Sequence, residues 1–271
     1  MARYNRKRAR QLQHDRFRDT TLGFFDRLGD MLEGKGRTLL YGIAALIAVL
    51  ALAGLWSWWS ARKTDEARRA LGHAIEIASA PVSPTPAPGS TDLSFPTEKD
   101  RAERAVKEFQ AVADKYGNPY REKARYFLAA NLLTLDRAKG IGEMEALSGS
   151  SDNEVATLSK FALAQAREAD AQYDAAAAIY AELAKQTNAI ITPDVANLRL
   201  ASVYEKQGKK KEAADLLFAI AEGSRTAKDQ DGKPLPPSPA EREAVQKLEK
   251  LDPARYAQLP PEPPAATDLP F

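Results

Sequence analysis

The chain has no cysteine among its 271 residues and only two histidines. The first absence excludes disulfides, thiol nucleophiles, cysteine-ligated zinc and iron–sulfur clusters. The second leaves little for imidazole chemistry. His14 lies in a basic N-terminal tail and His73 in a helical stretch, and neither has a ligand or nucleophile partner near it in sequence. A phosphate-cradling glycine loop, an HExxH pair and a nucleophile elbow are also missing. Asp229-x-Asp231-Gly232 has the start of a calcium loop but neither its third acid nor its terminal Glu, and reads as a turn. The chain is therefore read as a non-enzyme with no cofactor, no metal and no small-molecule substrate. Runs of β-branched residues are scarce as well. In a chain rich in Ala, Glu, Lys, Leu and Arg, that favours helix throughout.

Charge is absent from one stretch, LLYGIAALIAVLALAGLWSWW, at 39–59. It has the length of roughly 20 apolar residues that an α-helix needs to cross a bilayer. Ahead of it, residues 1–38 hold ten basic residues against five acids, a net +5, so the remainder carries −3 in a total of +2. A basic flank stays cytoplasmic, because moving it against the membrane potential and away from anionic lipid is unfavourable. The pattern predicts a single pass with the N-terminus inside and the large C-terminal part outside, which in a bacterium is the periplasm at the inner membrane. A cleaved signal peptide fits less well. The charged region is long, the apolar run exceeds the usual roughly 7–15 residues, and Trp56, Trp58 and Trp59 stand where a small-x-small cleavage site belongs. Indoles there suit a membrane–water interface. Gly42 and Gly54, with Ala44, Ala45, Ala48 and Ala51, would let another helix approach closely. Leu22, Phe25, Leu28, Met31 and Leu32 are spaced for a short helix on the cytoplasmic membrane surface. The basic head is matched more simply by anionic lipid than by nucleic acid.

Beyond the span the domain organisation reads as helical residues 60–223, interrupted by a proline-rich loop at 80–97. A linker and capping helix follow at 224–256, then a disordered proline-rich tail at 257–271. The first outer helix continues from the span to about residue 79, with Ala67, Ala70, Leu71, Ala74, Ile75 and Ala78 as its apolar stripe. Periodicity and caps then predict helices over 98–116, from Pro119, and over 139–147, the last softened by Gly140 and Gly142. Others follow over 153–171, 174–186, 193–207 and 211–222. Thr97, Thr192-Pro193 and the capping box Ser238-Pro239-Ala240-Glu241 mark starts, and Gly208 marks a stop.

These helices come in pairs. Ala129, Ala164 and Ala201 recur at 35 and 37 residues, and Ala176 and Ala213 at 37. Leu163-Ala164, then Tyr173, Ala176 and Tyr180, and Leu200-Ala201, Tyr204, Gly208 and Ala213, resemble tetratricopeptide repeats. Leu71-Gly72 with Ala105 and Phe109 looks like an earlier unit split by the proline loop. The predicted fold is all-α: one transmembrane helix followed by a tetratricopeptide-like α-hairpin solenoid. In such a stack the first helix of each pair lines a groove. The groove positions here are Lys123, Tyr126, Gln165, Glu168, Ser202 and Glu205, whose mixed polarity suits transient protein contacts.

Taken with GKGRTLLYGIAAL leading into the span, LWSWW closing it and the repeat AQAREADAQYDAAAAIYAEL, the chain resembles the ancillary subunit family of the bacterial SecYEG translocon. The resemblance covers roughly residues 28–223. It implies a single-pass inner-membrane protein of the periplasmic chaperone network, with translocon subunits and periplasmic chaperones as partners during secretion. The loop at 81–96 and the extension after Gly223 are longer than the family's core requires. The same groove would also serve an adaptor in envelope assembly or division.

Overall fold

A computed structural model describes residues 36–83, 93–186 and 190–262. The basic segment to residue 35 with its expected surface helix, the middle of the proline loop and the tail from 263 lie outside the described residues. The described elements are α1 (Gly36–Ser79), α2 (Glu98–Lys115), α3 (Tyr120–Leu135), α4 (Arg137–Leu147), α5 (Asn153–Ala169), α6 (Tyr173–Leu183), α7 (Pro193–Lys206), α8 (Lys210–Thr226), α9 (Pro239–Leu251) and the single turn α10 (Pro253–Tyr256). Among the described residues two isolated β-bridges accompany them, one of which pairs Val82 with Phe95 at the ends of the proline loop.

The chain divides into two compact units, one ending at Glu66 and one beginning at Ala67. In the first, α1 is long and apolar enough to cross a membrane. Every residue from Tyr41 to Ser60 is exposed, and this stretch is uncharged on all sides, so among the described residues nothing covers its apolar surface. In the second unit the caps Thr97, Thr192 and Ser238 lie where the sequence places them, and Asp152 adds another. Thr97 accepts from the Asp100 amide at 3.1 Å, Asp152 from those of Glu154 and Val155 at 2.9 and 3.3 Å, and Ser238 from that of Glu241 at 3.2 Å, with Glu241 closing the capping box. A side-chain cap of this kind contributes typically about 1 kcal/mol.

The second unit is a stack of four hairpins: the end of α1 with α2, α3 with α4, α5 with α6, and α7 with α8. Its core repeats on the second helices. Ala105, Gly140, Ala176 and Ala213 are buried at intervals of 35, 36 and 37 residues. Four residues on, Phe109, Met144, Tyr180 and Leu217 are each fully buried, and three further on so are Val112, Leu147, Leu183 and Ile220 at 1–4% exposure. The small residue admits the partner helix, and the larger ones fill the space that this approach leaves. Each fully buried large side chain contributes roughly 1.5–3 kcal/mol. On the first helices Ala129, Ala164 and Ala201 are at 0% exposure.

Two expectations change here. Gly72 does not mark the crossing in the first hairpin. It is exposed with open space around it, and Ala74, at 0%, is the buried small residue. Nor is α4 softened equally by its two glycines. Gly140 is where the backbone of α3 comes closest, since a Cβ there would meet Leu133 N at 2.6 Å, whereas Gly142 faces open space. Ala240, Ala244 and Leu248 of α9 then close the core against α8. The outer positions Arg242, Glu243, Gln246, Glu249 and Lys250 are exposed and polar, which ends the stack.

Candidate interaction face

First helices pack directly on one another, α3 on α5 and α7 on α9, while no two of the second helices α2, α4, α6 and α8 make a comparable contact. The first helices α3, α5, α7 and α9 thus form one row, the inner row, on one side of the stack. The sequence places its six candidate residues on this row.

The structure divides them. Lys123 of α3 reaches across to Glu154 of α5 at 2.7 Å, and this hydrogen bond holds its ammonium above the usual lysine range. Glu168 of α5 accepts from Lys206 of α7 at 2.7 Å and from the Tyr180 hydroxyl at 3.1 Å. Glu205 of α7 lies 3.9 Å from Lys247 of α9, with its Oε1 buried and lacking a hydrogen bond within the protein. These three residues thus tie each first helix to the next. Such partly exposed pairs contribute at most about 1 kcal/mol each, and each bridges neighbouring hairpins. Tyr126 is half-buried. Its ring meets Phe127 edge-on at 5.3 Å, and burial pushes its hydroxyl above the usual tyrosine range. Gln165 is exposed. Ser202 is half-exposed and donates to its own helix at Leu198 O, 3.2 Å away.

Tyr180 anchors the centre of the row from behind. Its ring is fully buried, edge-on to Phe161 at 5.8 Å, and burial together with the Glu168 charge drives its hydroxyl strongly upward in pKa. Its hydroxyl therefore stays a neutral donor to Glu168. Sequence reasoning passes over Arg199, which is exposed one turn before Ser202. It also misses Glu154, Lys206 and Lys247 as partners. The available signal was opposite charge at about one repeat interval, 31 residues for Lys123–Glu154 and 38 for Glu168–Lys206.

On another side, α2, α3 and α4 bound an open cleft of about 370 Å³. Its polar groups are already engaged: Gln110 donates to Asp114 at 2.8 Å, Arg121 to Ala113 O at 3.2 Å, and Arg125 to Glu143 at 2.6 Å. This is a seam between hairpins. Among the described residues no three His, Asp or Glu side chains gather closely enough to hold a metal ion.

No family model and no curated protein matches the chain. Two solved structures do, a Podosopora anserina protein described as a kinesin light chain with nearly identical TPR-like repeats and a single-substitution variant of it. They are 15% and 14% identical to this chain, each covering 70% of it and 87% of their own length at a TM-score of 0.46.

Proposed function

We propose that this protein is a membrane-anchored adaptor that holds protein segments on its row of first helices. It contains α1 as the anchor, lies in the bacterial inner membrane with its repeats in the periplasm, and links the Sec translocon to periplasmic chaperones. The observation that carries this reading is the row of first helices from α3 to α9. It is bridged by Lys123–Glu154, Lys206–Glu168 and Lys247–Glu205, and it leaves Gln165 and Arg199 exposed and Ser202 half-exposed. A rigid row with exposed polar positions suits reversible binding of extended segments. Anchoring keeps that row at high effective concentration beside membrane partners. The basic head and the uncharged run at 39–59 support the orientation and the resemblance described above supports the partners.

The test is photo-crosslinking from positions 165 and 202 of the full chain in native membranes, with position 246 on the outer face of α9 as control. Recovery of translocon subunits or periplasmic chaperones from 165 and 202, and not from 246, is the expected result. Recovery of division or outer-membrane assembly proteins instead would replace the Sec assignment with the envelope-assembly one. A reporter active only outside the cytoplasm, fused after Phe271, should be active; silence would reverse the topology.

A further inference from the structure

All three tryptophans of the chain stand at one end of the apolar segment, and two of them carry a cation. The Arg62 guanidinium lies 3.7 Å from the centroid of the Trp58 ring, and Lys63 Nζ lies 3.6 Å from that of Trp59. Both pairs are four residues apart on α1, and the helix itself brings them together. A helical side chain leans toward the N-terminus, over the turn before its own. Because each indole precedes its cation, Arg62 and Lys63 are drawn back toward the apolar segment instead of away from it. Each ring face holds its cation through the quadrupole, and a guanidinium or ammonium in that position still carries several N–H donors. Trp58 and Trp59 are each 54% exposed, so the protein does not cover them.

We propose that Trp58, Trp59, Arg62 and Lys63 form a binding site for the phosphate of an anionic lipid headgroup. The inference rests on α1 being a membrane span. Arg62 and Lys63 are the first charged residues after Arg37. A helix rises about 37 Å over that interval, against a hydrocarbon core of about 30 Å. The two cations therefore fall at headgroup depth, where indoles also partition. A phosphodiester there accepts charge-assisted hydrogen bonds from the guanidinium and the ammonium together. Phosphatidylcholine offers the same phosphate beside a quaternary ammonium that these cations repel, so a net-negative lipid such as phosphatidylglycerol is selected.

The tryptophans make the test specific, because all indole emission of the chain arises here. The full chain is reconstituted in phosphatidylcholine bilayers containing phosphatidylglycerol, with bromine placed near the ester of one lipid or the other. Brominated phosphatidylglycerol should quench more strongly than brominated phosphatidylcholine at equal mole fraction, with a preference of about fivefold per cation that falls as salt is raised. Arg62→Gln with Lys63→Gln should abolish the preference and leave quenching by phosphatidylcholine unchanged, while Lys250→Gln should change neither. Equal quenching of the wild type by both labels overturns the lipid site and leaves the span standing. Quenching by neither label overturns both. A preference that survives the double substitution overturns the assignment to these residues.

Discussion

Gly140 and Gly142 are two residues apart in α4, and replacing each with alanine should have different effects on stability. Both lie inside the same helix, so both substitutions gain the same propensity and backbone-entropy benefit, about 1 kcal/mol. At Gly142 nothing stands within 4 Å of the new methyl, and this gain is the whole effect. At Gly140 the methyl meets Leu133 N at 2.6 Å and Leu133 Cδ2 at 2.9 Å. The side chain can turn away but the backbone nitrogen cannot. The helices are joined through Asp136 alone, whose carboxylate caps α4 at the Lys139 amide, 3.2 Å away, and Arg125 ties α3 to Glu143 at 2.6 Å. Overpacking of this kind costs about 1–3 kcal/mol. Because the propensity terms cancel between the two variants, that cost is the expected difference between them. At about 2–4 °C per kcal/mol for a domain of this size, Gly142→Ala should raise the midpoint by about 2–4 °C. Gly140→Ala should fall below it by about 2–12 °C. Thermal unfolding of the full chain in detergent, followed by circular dichroism, measures both. Equal upward shifts would show that α3 and α4 do not cross at Gly140.

Further expectations concern turns and buried polar groups. Ala171 occupies the left-handed region at φ 56° in the α5–α6 turn, where Gly208 stands at φ 77° between α7 and α8. Ala171→Gly should therefore be neutral to stabilising by up to about 1 kcal/mol, and Gly208→Ala destabilising by about 1–2 kcal/mol, both read from urea denaturation. Asp194 in the first turn of α7 has its carboxyl raised, by burial first and by the Glu241 charge second. A carboxyl raised on folding contributes stability below its unfolded pKa of about 3.9 that is lost as pH rises through the folded value. Asp194→Asn should stabilise the chain at neutral pH, and that gain should vanish in denaturation curves recorded below the unfolded pKa. The Ser159 hydroxyl is buried at 0% exposure and has no hydrogen-bond partner within the protein. Ser159→Ala should stabilise by about 1 kcal/mol, and a loss of stability on thermal unfolding would show that the hydroxyl is satisfied.

The helix starts were legible because their signals are local. Thr97, Thr192 with Pro193, and Ser238 with Glu241 act within one turn, and the structure places each where the sequence does. Several ends differ from the sequence reading: α5 stops at Ala169 and α6 at Leu183, short of 171 and 186, and α8 runs on past 222 to Thr226. The α5–α6 turn shows why. No glycine marks that turn, and an alanine adopts the left-handed conformation in its place because the α5–α6 hairpin requires it. The candidate face was legible as a row but not residue by residue. Three of its six members, Lys123, Glu168 and Glu205, meet charges on neighbouring first helices, and only the register between hairpins shows this.

By itself the sequence determined the uncharged run long enough to span a bilayer, the all-helical composition, the caps and a repeat near 36 residues. All of these depend on residues a few positions apart or on a period that can be counted. The tertiary structure alone decided that Gly140 and not Gly72 marks a helix crossing, and which charges of the inner row bind its helices to one another. The crossing depends on how closely α3 and α4 approach, and the charge pairs on the distance between side chains 31 to 42 residues apart in sequence. That distance is set when small residues such as Gly140, Ala176 and Ala213 let the helices of each hairpin close to contact.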